Sequence, residues 1–204
     1  MAQGRDNPDR AEHAGLLLVI SGPSGVGKTT ITRQVVGRLG AIFSVSATTR
    51  PPTAADTPGA DYHFVGDGEF DRMAASGELL EYARVFGKYS YGTPRGPVEE
   101  ALRQGRVVIL EIDVQGAIQI RRNLPEALMV FVLPPDDATL LDRLRKRGRE
   151  SEEEIARRFA EAKREIAVAE GSGAYDLFLV NREVEKCVEK VCFEVRKRLQ
   201  KGVR

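Results

Sequence analysis

The apolar run LLLVI (residues 16–20) leads without a break into SGPSGVGKTT (21–30), and this junction limits the fold more than any other stretch of the chain. It satisfies the spacing G-x-x-x-x-G-K-[ST] at Gly22, Gly27, Lys28 and Thr29, with a strand-like segment before it and an amphipathic one, TTITRQVVGRL, after it. Glycines let a backbone turn its N–H groups around an anion, and a helix starting at that point adds partial positive charge. Ser24, Gly25, Val26 and Gly27 would thus wrap the phosphates of a nucleoside triphosphate, with Thr30 following in the helix. Lys28 can reach the β- and γ-phosphate oxygens, and the Thr29 hydroxyl can take one place on an octahedral Mg²⁺ that keeps most of its waters. The loop marks a phosphate donor site, and it serves hydrolases, motors, switches and kinases alike.

The rest of the chain has the rhythm such a loop requires. Further apolar runs VVILEI (107–112), LMVFVL (128–133) and LFLV (177–180) alternate with amphipathic segments. Runs so uniformly apolar suit parallel strands covered by helices on both faces, so the expected class is α/β, a doubly wound parallel sheet flanked by helices. Ser151 with Glu154 reads as a capping box opening EEEIARRFAEAKREIAVAE, and GSG (171–173) closes that helix. Residues 45–100 break the pattern with Pro51, Pro52, Pro58 and several glycines, then the short pieces YHFV (62–65) and LLEYARVF (79–86), which predict an inserted small β-rich lobe. The expected layout is a flexible tail over 1–14 and one domain over 15–204. That domain divides into a core (15–45, 101–140, 171–204), a lobe (about 46–100) and a helical lid (about 141–170).

With 31 basic against 30 acidic side chains, the net charge of +1 gives no global attraction to nucleic acid or an anionic membrane. No run approaches the roughly 18 apolar residues of a membrane span. Cys187 and Cys192 lie where Val184, Val188, Val191, Val195 and Leu199 recur at helical spacing, and they read as small core residues of a reduced cytoplasmic protein, monomer or homodimer.

Several further motifs follow the loop in order: FSVSATTR (43–50), DYHFV (61–65), ELLEYARVFGKYSYGTP (78–94), EIDVQGA (111–117) and RLRKRGRESEEEIARR (143–158). Together they make the chain resemble the guanylate kinases over roughly residues 15–199. The resemblance implies transfer of the γ-phosphoryl group of ATP to GMP, and to dGMP, with Mg²⁺, in purine nucleotide metabolism. It implies that Arg50, Tyr62 and Tyr91 hold the acceptor phosphate. Glu81 would read guanine by accepting from N1–H and the 2-amino group, with Ser46 and Thr93 near the base. Adenine would leave that buried carboxylate facing a lone pair, a mismatch worth roughly 10⁴-fold. Asp113, where the VVILEI strand meets a helix, corresponds to an acid that organises the acceptor site. Glu111 stands on the same strand face, where some family members have Asp.

Phosphoryl transfer is accelerated chiefly by positioning and by compensation of charge. Arg143, Arg147 and Arg158 correspond to the family's lid and core arginines, Arg147 and Arg158 converging on lid closure. Asn181 corresponds to an asparagine near the ATP purine. Considered as single residues these positions have plainer readings: a surface arginine for Arg50, core tyrosines, turn hydroxyls for Ser46 and Thr93, a solvated basic helix face for the arginines, and a helix N-cap for Asn181.

One departure stands out. The family's T-T-R-x-P-R pattern is TTRPPT here, with Thr53 in place of the second arginine, and the following R-x-G-E is replaced by TAADTPG. Either Arg50 and the tyrosines suffice, or Lys88 or Arg95 contributes charge; a weakened KM for GMP with specificity retained is the expectation. The loop GKYSYGTP is one residue longer than usual, which makes Tyr91, rather than Tyr89, the expected phosphate ligand. Three other readings differ in what they require: a nucleotide-free interaction module would not need the intact loop, a different small-molecule kinase would not need Glu81 with Thr93, and a nucleic-acid ATPase would need more basic surface than RLRKRGR supplies.

Overall fold

The computed structural model describes residues 15–85, 88–146 and 151–201. Five parallel strands form the main sheet: β1 (Leu16–Ser21), β2 (Ile42–Phe43), β7 (Val107–Glu111), β8 (Leu128–Leu133) and β9 (Leu177–Val180), in the order β2-β7-β1-β8-β9. Seven helices are found among the described residues: α1 (Lys28–Leu39), α2 (Asp67–Ala75), α3 (Arg95–Arg103), α4 (Val114–Asn123), α5 (Asp137–Lys146), α6 (Glu152–Ser172) and α7 (Val184–Lys201).

Strand alternation divides the core in two. Leu16, Leu18 and Ile20 of β1 join Ile31 and Val35 of α1 and Val188, Val191 and Val195 of α7 on one face. On the other, Leu17 and Val19 meet Val98 of α3 and Ala117 and Ile120 of α4. Cys187 and Cys192 are free thiols buried in the first of these clusters. The outer runs depart from the expectation of strands buried on both faces. β9 is an edge strand whose alternate residues Phe178 and Val180, on one face, are 38% and 43% exposed. The opposite edge, β2, is only two residues long.

The segment that broke the sequence rhythm builds a second, four-stranded sheet from β3 (Ser46–Thr48), β4 (Tyr62–Phe64), β5 (Leu79–Val85) and β6 (Tyr89–Pro94), ordered β4-β3-β6-β5. Its own small core is Ala47, Phe70 and Leu79, closed by α2. β5 lies along α4: Gln119 donates to the Tyr82 carbonyl (2.7 Å) and accepts from the Tyr82 N–H (3.2 Å), and Asn123 donates to the Leu80 carbonyl (2.9 Å). The capping box of α6 is formed by Ser151 and Glu154, and Gly173 in the left-handed region ends the helix. α6 is tied at both ends, to Leu140 and Leu144 of α5 through Ile155 and Ala162, and to Phe131 through Ala169.

Candidate active site

Between the two sheets lies a cavity of about 660 Å³, lined by residues from the glycine loop and from each of the ordered motifs that follow it in the sequence. β1 ends in the glycine loop, where Gly25 (φ 84°) and Gly27 (φ 97°) take left-handed conformations closed to most side chains. The loop brings Ser24, Lys28 and Thr29 to the cavity wall. Lys28 Nζ lies against the carbonyls of Gly22 (2.5 Å) and Pro23 (3.0 Å), and Thr29 Oγ1 donates to Glu111 Oε1 at 2.7 Å. Glu111 and Asp113 come from the end of β7, the crevice where such sheets bind ligands. Asp113 also caps α4, accepting from the Gly116 N–H at 2.9 Å.

The lobe contributes Ser46, Tyr62, Glu81 and Tyr91 to the same cavity. The two tyrosine rings meet edge-on, 5.7 Å between centroids. Glu81 is 4% exposed, and its Oε1 accepts from Thr93 Oγ1 at 2.7 Å. Thr93 itself is buried behind the acid and does not reach the cavity. Burial pushes the Glu81 carboxyl up to about 7; the Thr93 hydrogen bond opposes this rise and the charge of Asp113 adds to it.

Arg50 is set back from the wall. Its guanidinium lies over the rings of Tyr62 (5.2 Å) and Phe64 (5.5 Å) and grips Asp56 with both terminal nitrogens, at 2.8 and 3.0 Å. Asp56 Oδ2 also accepts from the N–H and hydroxyl of Thr53, each at 2.6 Å. The Arg50 bond, aided by Thr53, holds the Asp56 carboxyl well below the usual carboxylate range. Lys88 stands over the Tyr89 ring and Arg95 bonds Gly77 and Glu99, so neither lines the cavity, nor does Tyr89.

Arg158 of α6 reaches the glycine loop directly, donating to Ser24 Oγ at 2.5 Å. Arg143 and Asn181 lie beneath the loop: Arg143 donates to the carbonyls of Val26 (3.2 Å) and Asn181 (3.1 Å), and Asn181 Nδ2 to that of Val26 (2.8 Å). Asn181 is 2% exposed and sits three residues before α7 begins, away from the cavity. Thr30 is exposed on α1 outside the lining, and Arg147 falls outside the described residues.

Two further charged residues line the cavity, Arg157 and Glu165. Glu165 lies seven residues after Arg158, two helical turns along one face of α6, and this spacing is the signal that would have found it. Burial pushes its carboxyl up to about 7; Lys28 pulls the other way, and Asp113 and Glu161 add to the rise. Among the described residues no group of three or more His, Cys, Asp or Glu side chains could hold a metal ion by itself.

A glycine-rich loop on a parallel sheet, facing a second small sheet that carries a buried carboxylate, is the arrangement of P-loop nucleoside monophosphate kinases. The guanylate kinase family model matches residues 15–197. The guanylate kinase of Thermosynechococcus vestitus is 51% identical over 173 residues, covering 84% of this chain and 88% of that protein. That of Thermobifida fusca is 45% identical over 189 residues, covering 92% and 91%. The crystal structure of guanylate kinase from Anaplasma phagocytophilum superposes with a TM-score of 0.75 at 31% identity, covering 94% of this chain and 89% of that one. The chain belongs to the guanylate kinase family.

Proposed function

We propose that this chain, in the cytoplasm, transfers the γ-phosphoryl group of ATP to GMP or dGMP, giving ADP and GDP or dGDP. The observation that carries this reading is a single cavity lined both by Lys28 of the donor loop and by the buried carboxylate of Glu81 on the lobe. A GMP phosphate oxygen attacks the γ-phosphorus, the bond from that phosphorus to the β,γ-bridging oxygen breaks, and ADP leaves with the electron pair. The protein forms no covalent bond; it aligns the two nucleotides and offsets charge on the transferring group.

Lys28 and Arg158 are the cations best placed for that task, and Arg147 is proposed to join them. Tyr62 and Tyr91 donate their hydroxyls to the acceptor phosphate, with Arg50 supporting Tyr62 from behind. Glu81 accepts from guanine N1–H and the 2-amino group, and Thr93, bound to the same carboxylate, fixes its orientation. Arg143 and Asn181 shape the donor loop through the Val26 carbonyl. Thr29 and Glu111 offer hard oxygens on the cavity wall, a donor set that fits Mg²⁺ held mainly by phosphates and water. When bound, that ion would neutralise charge on the β- and γ-phosphate oxygens.

A coupled assay with ATP and Mg²⁺ against GMP, dGMP, AMP, UMP and CMP tests the reading. GMP and dGMP are expected to be used and the others not. Activity with none would overturn the enzymatic assignment, and equal use of AMP would overturn the role of Glu81.

A further inference from the structure

We propose that Gly116 is a specificity-positioning residue: the bare α-carbon in the first turn of α4 leaves the space that the Glu81 carboxylate fills. The proposal rests on the reading of Glu81 as the group that recognises guanine.

Glu81 reaches across from β5 to α4. Thr93 donates to Oε1, and Oε2 stands in the space that a Cβ at Gly116 would take. A methyl group added at Gly116 would stand 3.0 Å from Glu81 Cδ, closer still to Oε2, and 3.4 Å from Ile112 Cδ1. Gly116 has no left-handed backbone to explain it; it lies inside a helix, where glycine is a poor choice. Its N–H is spent on Asp113 Oδ1 at 2.9 Å, so the residue spaces both acids, one by its backbone and one by having no side chain.

The consequence is asymmetric. Backbone and buried strand atoms cannot move aside cheaply, but the clashing atoms belong to the end of a flexible glutamate. A methyl group at Gly116 would therefore be absorbed by rotation of Glu81 away from Thr93 and from its place beside the base. The fold would lose little stability, the better helix propensity of alanine offsetting part of the lost Thr93 hydrogen bond, while guanine would lose its acceptor.

The test compares the full-length protein with Gly116→Ala, Glu81→Gln, Glu81→Asp and the Gly116→Ala/Glu81→Asp pair, measuring KM and kcat for GMP and AMP, KM for ATP, and Tm. Gly116→Ala is expected to raise KM for GMP at least about tenfold and to narrow the preference over AMP. KM for ATP should stay unchanged and Tm should fall by no more than about 5 °C. Because aspartate withdraws from the space the methyl takes, Glu81→Asp should cost less in the Gly116→Ala background than alone. Unchanged KM for GMP in Gly116→Ala, additive effects in the pair, or a Tm lowered by more than about 5 °C would each overturn the proposal. Should Glu81→Gln abolish the GMP preference while Gly116→Ala keeps it, only this inference fails; if Glu81→Gln leaves the preference intact, the reading of Glu81 fails with it.

Discussion

Thr53, where the family usually has arginine, holds Asp56, and Asp56 holds Arg50. A guanidinium gripped at both terminal nitrogens is fixed in direction, so Asp56→Ala should free Arg50 and raise KM for GMP about tenfold with a smaller effect on kcat. A steady-state titration of GMP at saturating ATP checks this. Thr53→Arg would add a second cation at this corner while Asp56 keeps its grip on Arg50. KM for GMP is expected to fall several-fold, with no tightening counting against a phosphate role for this corner. The missing arginine was visible in the sequence; its replacement by a Thr53–Asp56 clasp was not, because side-chain hydrogen bonds across a proline-rich turn leave no periodic pattern. Glu81 carries a pH signature. Burial raises its folded carboxyl to about 7, so the native chain holds a proton more tightly than the unfolded chain. Stability from this group is full below the ordinary carboxylate range and is lost as pH rises through about 7. Glu81→Gln should remove that share of the slope, worth up to roughly 3 kcal/mol by pH 8, leaving the same-signed share of Glu165. Urea unfolding at pH 5 and pH 8 compares the two proteins. With Glu81 proposed to accept from guanine in its ionised form, kcat/KM for GMP is expected to rise with pH up to about 7.

At the scale of elements, α6 does most to join the chemistry to the core. Its capping box starts a 21-residue rod that presents Arg157, Arg158 and Glu165 to the cavity while Ala169 packs beside Phe131. The rod was legible from Ser151, Glu154 and the closing GSG; its inward face was not, because Glu165 sits in a run of charges that resembles a solvated surface. Arg158→Ala should lower kcat by about 10²- to 10³-fold, the scale of losing one charge-stabilising group, with KM for GMP changed far less. Ser151→Ala should cost about 1 kcal/mol of stability through the lost cap, read as a lower thermal midpoint. The inner strands announced themselves through uninterrupted apolar residues, whereas β2, two residues long, and the order β4-β3-β6-β5 depend on pairings between distant segments and gave no local signal.

Across the whole molecule, the cavity belongs to neither sheet alone. The donor loop rises from the parallel sheet and Tyr62, Glu81 and Tyr91 come from the other, so a ligand touching both would act as a brace. A bisubstrate analogue joining adenosine and guanosine through phosphates, at about 100 times its Kd, should add about 2.7 kcal/mol. That is roughly 5–11 °C in Tm for a chain of this size, read by thermal shift, and either nucleotide alone at the same concentration should give less. The connection between the sheets is made partly by Gln119, whose amide meets both backbone groups of Tyr82, and by Asn123 on the Leu80 carbonyl. β5 ends the lobe's sheet, and a strand in that position ordinarily exposes a ladder on which another chain can polymerise. Here amide side chains of a neighbouring helix occupy rungs at Tyr82 and Leu80, so the contact that seats the strand carrying Glu81 also guards that edge against edge-to-edge aggregation.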